Sequence, residues 1–518
     1  MPTVSIRVSK KILADVSSGI YRTPANALKE IVSNAFDAGA HRVYISTNAP
    51  YFDTFTCEDD GEGISPEDFK KIMQRIGSSA KRSRGTISPK TGRPIIGKIG
   101  IGLLSVAQIC NRFAVISKRK GTSTYFHATV DLKQFEEIEH EKGYKEGAGA
   151  IDLGTYEIEE GLTDEVGRDR HYTKIIMEEI KKGFTTKLVE EKTKTNFTIT
   201  QKAKSSESFG DFIESIKNKK FNEISQYDQL IWELGLLCPV EYVDGGPLPD
   251  NGILRREISR LKEYDFKVIV DGYEIRKPLK FPTDTRLVTE GPDFKTYPYI
   301  SFKEKVDGSE LRFTGYVFHQ RTKVQPAELQ GMLIRIKGIG VGSYDRTFMH
   351  YPKAEGPMFS QLTGEIYVEE GLEEALNIDR NSFNEMHKHY LRLQEYLWDF
   401  LGGEDGVFKD IRGRSKERRE KDHAAQSEME LRRFLGIIGR IEGLSINVNR
   451  DLKREDVPFT YDNRRKTVTF HAHPFWARSR AERAMQEKVV LAISAAKSGA
   501  STVEDFEKKI LQLLSRGK

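Results

Sequence analysis

The segment EIVSNAFDAGA, Glu30 to Ala40, carries Glu30, Asn34 and Asp37 at helical spacing. At about 100° per residue, offsets of four and seven return the three polar groups to nearly one side, while Ile31, Ala35 and Ala38 pack elsewhere. Such a row is either a solvated face or the polar edge of a site. Two glycine strings follow it. In Asp59-Asp60-Gly61-Glu62-Gly63, a carboxylate acceptor adjoins a turn where backbone can approach a planar ligand. In Gly97-Lys98-Ile99-Gly100-Ile101-Gly102, three glycines precede an apolar run, and exposed amides at a helix N-terminus suit phosphate oxygens. Lys98 is followed by Ile99, which excludes the GxxxxGK-Ser/Thr phosphate loop.

The elements that must hold these groups are legible in outline. Thr23 and Pro24 make a helix start, a hydroxyl cap before a residue that needs no amide hydrogen, and Gly39 can stop the helix near Ala38. HRVYIST from His41 alternates like a strand, with YFDTFTCED as its hairpin partner. Ser65 and Pro66 open a helix whose Glu67 and Asp68 suit its positive end. Ser78 to Pro94 has several cations and no apolar periodicity, which predicts a loop or lid. After Gly102 an apolar helix should return to a strand near Phe113, and FHATVDL and KIIMEEI are further strands. Residues 1–185 thus read as α+β, helices covering one face of a largely antiparallel sheet. Residues 186–286 read as a polar connector and the start of a middle domain, containing the apolar helix QYDQLIWELGLL. Residues 287–405 read as a strand-rich α/β domain ending in a long helix from Asn381. Residues 406–518 read as a charged linker and a largely helical region.

Composition sets the outer limits. With 518 residues, 38% apolar and 31% charged, and mean hydropathy of −0.53, the chain reads as globular and multidomain. It has no stretch of eighteen uncharged apolar residues, and its N-terminus lacks the apolar core of a secretory signal; no membrane partner and a cytoplasmic location are expected. Cys57, Cys110 and Cys238 are far apart, which fits a reducing compartment and no structural zinc. The net charge of +5 permits an anionic partner without requiring one.

Together and in this order, EIVSNAFDAGA, DDGEGI, IGSSAK, IIGKIGIGLLS and HYTKIIM resemble the GHKL-type ATPase superfamily shared by gyrase, Hsp90, MutL, MORC proteins and histidine kinases. The likeness covers roughly residues 20 to 180 and implies a Bergerat-type sandwich that binds ATP and Mg²⁺. It implies that Glu30 polarises the attacking water and that Asn34 binds Mg²⁺. Asp59 would accept from the adenine amino group, with Thr173 supporting that end and Gly61 and Gly63 shaping it. Gly97, Gly100, Ile101 and Gly102 would wrap the phosphates, with Ser78, Ser79 and Lys98 as lesser candidates. Asp37 would order the pocket without a chemical role. Tyr172 stands where relatives often have glycine.

LTGEIYVEEGLEEALNIDRNSF and the strands before it look like the transducer domain of the Hsp90, MutL and MORC branch. That branch sends a second-domain cation to the γ-phosphate, here either Lys323 in HQRTKVQ, the better match to a transducer-loop lysine, or Arg380 in NIDRNSF, the Hsp90-like alternative. The resemblance further implies a nucleotide-gated homodimer. Its object is either nucleic acid, as in the MORC and MutL branches, or a protein client, as for Hsp90. Three other features carry less. GIGVG, Gly338 to Gly342, lacks a dinucleotide-site context and reads as a loop; His471 and His473 lack the further ligands of a metal site. Arg412 to Lys421 holds six basic residues interrupted by Glu417 and Glu420, a charged linker or helix, or a nucleic-acid contact.

Overall fold

The computed structural model describes residues 4–8, 23–74, 93, 105–132, 151–163, 169–189, 209–216, 219, 221–243, 252–278, 294–353, 355–377, 380–438, 444–448 and 457–516. The chain divides into two units, Met1–Leu401 and Gly402–Lys518. The architecture is mixed α/β, with several sheets and helices.

The first sheet of the N-terminal unit has nine strands: β1 (Val4–Val8), β2 (Arg42–Ser46), β3 (Phe55–Asp59), β4 (Cys110–Lys118), β5 (Thr124–Leu132), β6 (Ile151–Thr163), β7 (Tyr172–Ile180), β8 (Lys267–Val270) and β9 (Tyr273–Ile275). They run in the order β1-β6-β5-β4-β7-β3-β2-β8-β9, antiparallel throughout except where β2 meets β8. Residues 267–275, far along the chain, therefore complete the sheet that the first 180 residues begin. The register sets Asp59 opposite Thr173 on one side of β7 and Ser117 opposite Thr173 on the other.

Helix α1 (Pro24–Asp37) buries Leu28, Val32 and Phe36 in the core, and Phe36 meets Tyr264 and Phe266 edge-on. Gly39 follows at φ +78, as a helix stop requires. The expected hydroxyl cap is not made: Thr23 is extended, yet its side chain accepts no capping bond. Magnitudes explain why the helix forms regardless. A cap contributes ~1 kcal/mol, whereas each buried Leu, Val or Phe contributes ~1.5–3 kcal/mol. Helix α2 (Pro66–Gln74) does have its cap, Asp68 N donating to Ser65 Oγ at 3.1 Å. A short helix α3 (Val106–Ile109) leads into β4.

The second sheet has β10 (Phe294–Val306), β11 (Ser309–Gln320), β12 (Gly331–Ile336), β13 (Ile339–Asp345) and β14 (Leu362–Glu370), ordered β10-β11-β14-β12-β13. GIGVG is thus not a loop. Lys337 and Gly338, both at positive φ, make a tight turn, and the next residues pair with β12 as β13. Helix α4 (Gln226–Leu237) packs on both α1 and β13. Beneath its end, the Glu365 carboxylate is buried and accepts from Arg335 Nε at 2.9 Å and from Tyr242, Tyr316, Tyr344 and Tyr367. Burial alone would raise the Glu365 carboxyl, but the Arg335 charge and these hydrogen bonds outweigh it and hold the group below the usual carboxylate range. Arg335 Nη1 also donates to Leu236 O at 2.8 Å, pinning α4 to the second sheet.

The helix expected from Asn381 begins seven residues later, as α5 (Lys388–Gly402). The cause is local: Asn377 N donates to Ser382 O, Asn377 Nδ2 to Ser382 Oγ, and Asn384 N to Ala375 O, so the segment folds back before it can coil. The C-terminal unit has a long helix α6 (Val407–Ile438), strands β15 (Ser445–Val448), β16 (Phe459–Asp462) and β17 (Thr467–Phe470) ordered β15-β17-β16, and helices α7 (Arg480–Gly499) and α8 (Val503–Arg516). Leu431, Phe434, Val468, Phe470, Trp476 and Leu491 form its core.

Candidate functional site

Glu30 lies in the middle of α1 and is only 1% exposed. A buried carboxylate needs a partner, and the fold supplies one from 350 residues away. Arg380 Nη1 donates to Glu30 Oε2 at 2.8 Å, and the pair is buried on both sides. Lys29, buried as completely, holds the same loop in place. Its Nζ donates to Arg380 O at 3.2 Å and to Asn381 Oδ1 at 2.8 Å, and stands 4.0 Å from Glu30 Oε1. Arg380 sits at φ +49, a backbone region costly for a side-chain-bearing residue. Lys29 on its carbonyl is one of the contacts that hold it there. Gly342, in β13, makes room: at φ +69, a Cβ there would lie 2.7 Å from Asn381 O.

Chemically, this is a carboxylate and a guanidinium meeting in a buried place. The carboxylate has about four lone-pair sites and the guanidinium five N–H donors. One mutual bond leaves both chemically able to meet a water and a phosphate oxygen. Asn34 lies one turn along α1 from Glu30 and is half-buried. Its amide carbonyl beside a carboxylate is the oxygen donor chemistry that Mg²⁺ takes, usually completed by waters and phosphates. Asp37, the last residue of α1, is also half-buried. Among the described residues no group of three or more His, Cys, Asp or Glu side chains is placed to cage a metal.

The second cluster forms across the middle of the nine-stranded sheet. Asp59 Oδ1 accepts from Gly61 N at 2.9 Å. Burial raises its carboxyl to about 7; the Gly61 amide opposes the shift, and the neighbouring charges of Asp60 and Glu58 add to it. Beside it Thr173 Oγ1 and Ser117 Oγ are 3.1 Å apart, Ser117 Oγ donates to Tyr172 O at 2.9 Å, and it accepts from Ile64 N at 2.8 Å. Asp59, Thr173 and Ser117 are therefore neighbours on three adjacent strands. Both glycines of the turn are required: a Cβ on Gly61 would meet Asp59 Oδ1 at 2.7 Å, and one on Gly63, at φ +71, would meet Lys118 O at 2.0 Å. His171 Nδ1 lies 2.6 Å from Gly61 O, bracing the same turn.

Of the two second-domain cations, Arg380 is the one whose side chain reaches Glu30; Lys323 is exposed in the turn after β11. Ser78, Ser79, Gly97, Lys98, Gly100, Ile101 and Gly102 lie outside the described residues. Lys29 and Ser117 carried no motif signal, and Asn381 lay inside NIDRNSF without being singled out as a site residue. The one hint was Lys29 itself, a lysine directly before Glu30 in an otherwise apolar helix.

Comparisons with known proteins cover the N-terminal part of this site. Residues 21–173 match the model of the histidine kinase-, DNA gyrase B-, and HSP90-like ATPase domain. The N-terminal part of the chain thus carries a GHKL-type ATPase domain. Among curated proteins, the DNA mismatch repair protein MutL of Neisseria meningitidis serogroup C is 28% identical over 129 residues, 25% of this chain and 18% of that protein. MutL of Limosilactobacillus reuteri is 28% identical over 113 residues, 22% of this chain and 17% of that one. The putative type II restriction enzyme HgiDII of Herpetosiphon aurantiacus is 33% identical over 178 residues, 33% of this chain and 25% of the enzyme. The chain spans a quarter or less of the length of each of these relatives. Among the described residues, no helix is long and apolar enough to cross a membrane.

Proposed function

We propose that the chain is an Mg²⁺-dependent ATPase working as a nucleotide-gated clamp, a homodimer when closed, that acts on DNA. The observation that carries the hydrolytic part is the 2.8 Å contact between Arg380 and Glu30. In this reading Glu30 orients and deprotonates the attacking water, and Arg380 reaches from the second domain to offset charge on the transferred phosphoryl group. Asn34 would hold Mg²⁺, which when bound supplies charge neutralisation between the phosphates. Asp59 accepts from the adenine amino group while Thr173 and Ser117 order that end of the pocket. Binding energy from ATP then favours the arrangement in which the two domains meet, and hydrolysis removes it.

The DNA part rests on the relatives, whose printed names concern mismatch repair and restriction, and on the basic balance of the chain. One observation favours a second reading: Arg380 is the cation expected of an Hsp90-like arrangement, so a protein client is the competing object. Steady-state ATP turnover of the full chain separates them. Duplex DNA that stimulates turnover, less so at moderate salt, supports the clamp on DNA. DNA without effect, with turnover stimulated instead by an unfolded protein, supports the second reading. A Glu30→Ala chain that turns over at the unaltered rate would refute the site itself.

A further inference from the structure

One turn before Glu30 on α1 stands a polar side chain that local structure does not use. Asn26 is only 8% exposed, and its Oδ1 is buried and accepts no hydrogen bond among the described residues. Such an atom destabilises the folded chain, because it leaves water without gaining a donor. A local purpose is within reach. As the third residue of α1, Asn26 could turn its oxygen back onto the amide of Thr23, as the last residue of a capping box does. Its backbone amide does donate to Thr23 O at 3.1 Å, but the side-chain oxygen takes no such bond.

Helix geometry sets this residue beside the catalytic pair. Residues four apart are offset by about 40°, with Cβ atoms about 5–6 Å from each other, so Asn26, Glu30 and Asn34 form one row along α1. Long side chains on a helix lean towards its N-terminus, and the Glu30 carboxylate therefore leans over the turn that carries Asn26. The donors around Glu30 have other bonds: Arg380 Nη1 to Glu30 Oε2 at 2.8 Å, and Lys29 Nζ to Arg380 O and Asn381 Oδ1. A carboxylate oxygen and an amide oxygen are both acceptors and cannot bond each other. A water molecule satisfies both, since it has two O–H donors. Bonds of about 2.8 Å to each oxygen span a gap of up to about 5.6 Å.

We infer that Asn26 Oδ1 positions the attacking water, sharing it with Glu30. The inference rests on the reading of Glu30 as the base and names the residue that fixes the direction of attack. With one O–H on Glu30 and the other on Asn26, the water presents a lone pair to the γ-phosphorus. Its oxygen bonds to that phosphorus as the bond to the bridging oxygen breaks. One proton passes to Glu30, the other stays on the new phosphate oxygen against Asn26, and the electron pair of the broken bond leaves with ADP. Glu30 alone holds the water by a single bond, about which it can turn. The second bond removes that rotation, and orientation of the reacting atom is a large part of the rate. A neutral amide does so without a further negative charge beside the phosphates.

The test uses the full chain with Asn26→Leu, which is nearly isosteric and lacks the acceptor. Replacing a buried unpaired polar atom by carbon should keep or raise stability, so stability and turnover should move in opposite directions. The denaturant midpoint should match or exceed that of the unaltered chain. At the same time kcat should fall about 10- to 100-fold, with the Kd of a non-hydrolysable ATP analogue within about twofold. Asn26→Ala, small enough to fold if the leucine does not, should lose kcat to a similar extent. Added to Glu30→Gln, Asn26→Leu should change kcat by less than about twofold, because both groups act on one water. An unchanged kcat in the Asn26 variants, with Glu30→Gln strongly impaired, overturns the role of Asn26 and leaves Glu30 as the base. So does a loss that follows the folded fraction, falls mainly on Kd, or is as large in the Glu30→Gln background. Unaltered turnover in Glu30→Gln itself overturns the reading of the site, and this inference with it.

Discussion

Arg380 donates to Glu30 at 2.8 Å across 350 residues of sequence, and Lys29, the immediate neighbour of Glu30, holds the carbonyl of the same arginine. One helix turn thus fixes both the charge and the backbone of a loop from the second sheet. The pair separates two roles that sequence leaves merged. Glu30→Gln keeps a hydrogen-bond acceptor for Arg380 but loses the base, so turnover should fall by about 10²–10⁴ while nucleotide binding persists. Arg380→Ala should also lower turnover, and it additionally leaves a buried carboxylate without its main partner, a loss of about 3–5 kcal/mol in such pairs. Denaturant unfolding of the two single variants and of Glu30→Gln/Arg380→Ala measures this. The double variant should regain much of the stability lost by Arg380→Ala and none of the activity.

Gly342 tests whether the position of Arg380 matters independently of its charge. Ala at 342 would press on Asn381 O, the residue next to Arg380, and would strain a backbone at φ +69. Gly356, at φ +53 with nothing within 4 Å of an added Cβ, carries the backbone strain without the push. Gly342→Ala is expected to lower kcat about 10- to 100-fold, as small misplacements at reacting groups do, with the Kd of a non-hydrolysable ATP analogue within about twofold. Gly356→Ala should lose stability alone. Equal turnover in the two variants would remove the loop from the mechanism.

Asp59 sets a pH dependence whose sign follows from its raised carboxyl. An unfolded aspartate titrates near 3.9, while the folded group titrates near 7. Between those values the folded chain holds a proton that the unfolded chain has lost. Its contribution to stability is full below pH ~4 and fades as pH rises through 7. The ionised form is the stronger acceptor for an adenine amino group, because a charge-assisted bond is about twice as strong as a neutral one. Affinity for a non-hydrolysable ATP analogue should accordingly rise with pH up to about 7 and then level off. Isothermal titration between pH 5.5 and 8.5 measures this, and Asp59→Asn should bind weakly with a nearly flat profile. A rising profile retained in Asp59→Asn would assign the titration to another group.

Ser65 caps α2 as its type and place suggest, because a cap is a contact between residues three apart. Thr23 looks equally suited and makes no cap bond, because α1 is held by Leu28, Val32 and Phe36 in the core. GIGVG has the composition of a loop and becomes β13. Gly342 is there because Asn381 O approaches the strand too closely for a side chain, and Leu237 crowds Gly340. Local patterns cannot report an approach by residues so far off along the chain.

By itself the sequence determined the polar row on α1, the acceptor beside the glycine turn and the strand carrying Thr173, since each follows from spacing within a dozen residues. Only the tertiary structure decided which cation meets Glu30, that Ser117 stands beside Thr173, and that residues 267–275 complete the first sheet. Those outcomes depend on which buried charges must be paired and which strand edges must be covered. Burial is a property of the whole chain packed together, and no window of sequence contains it.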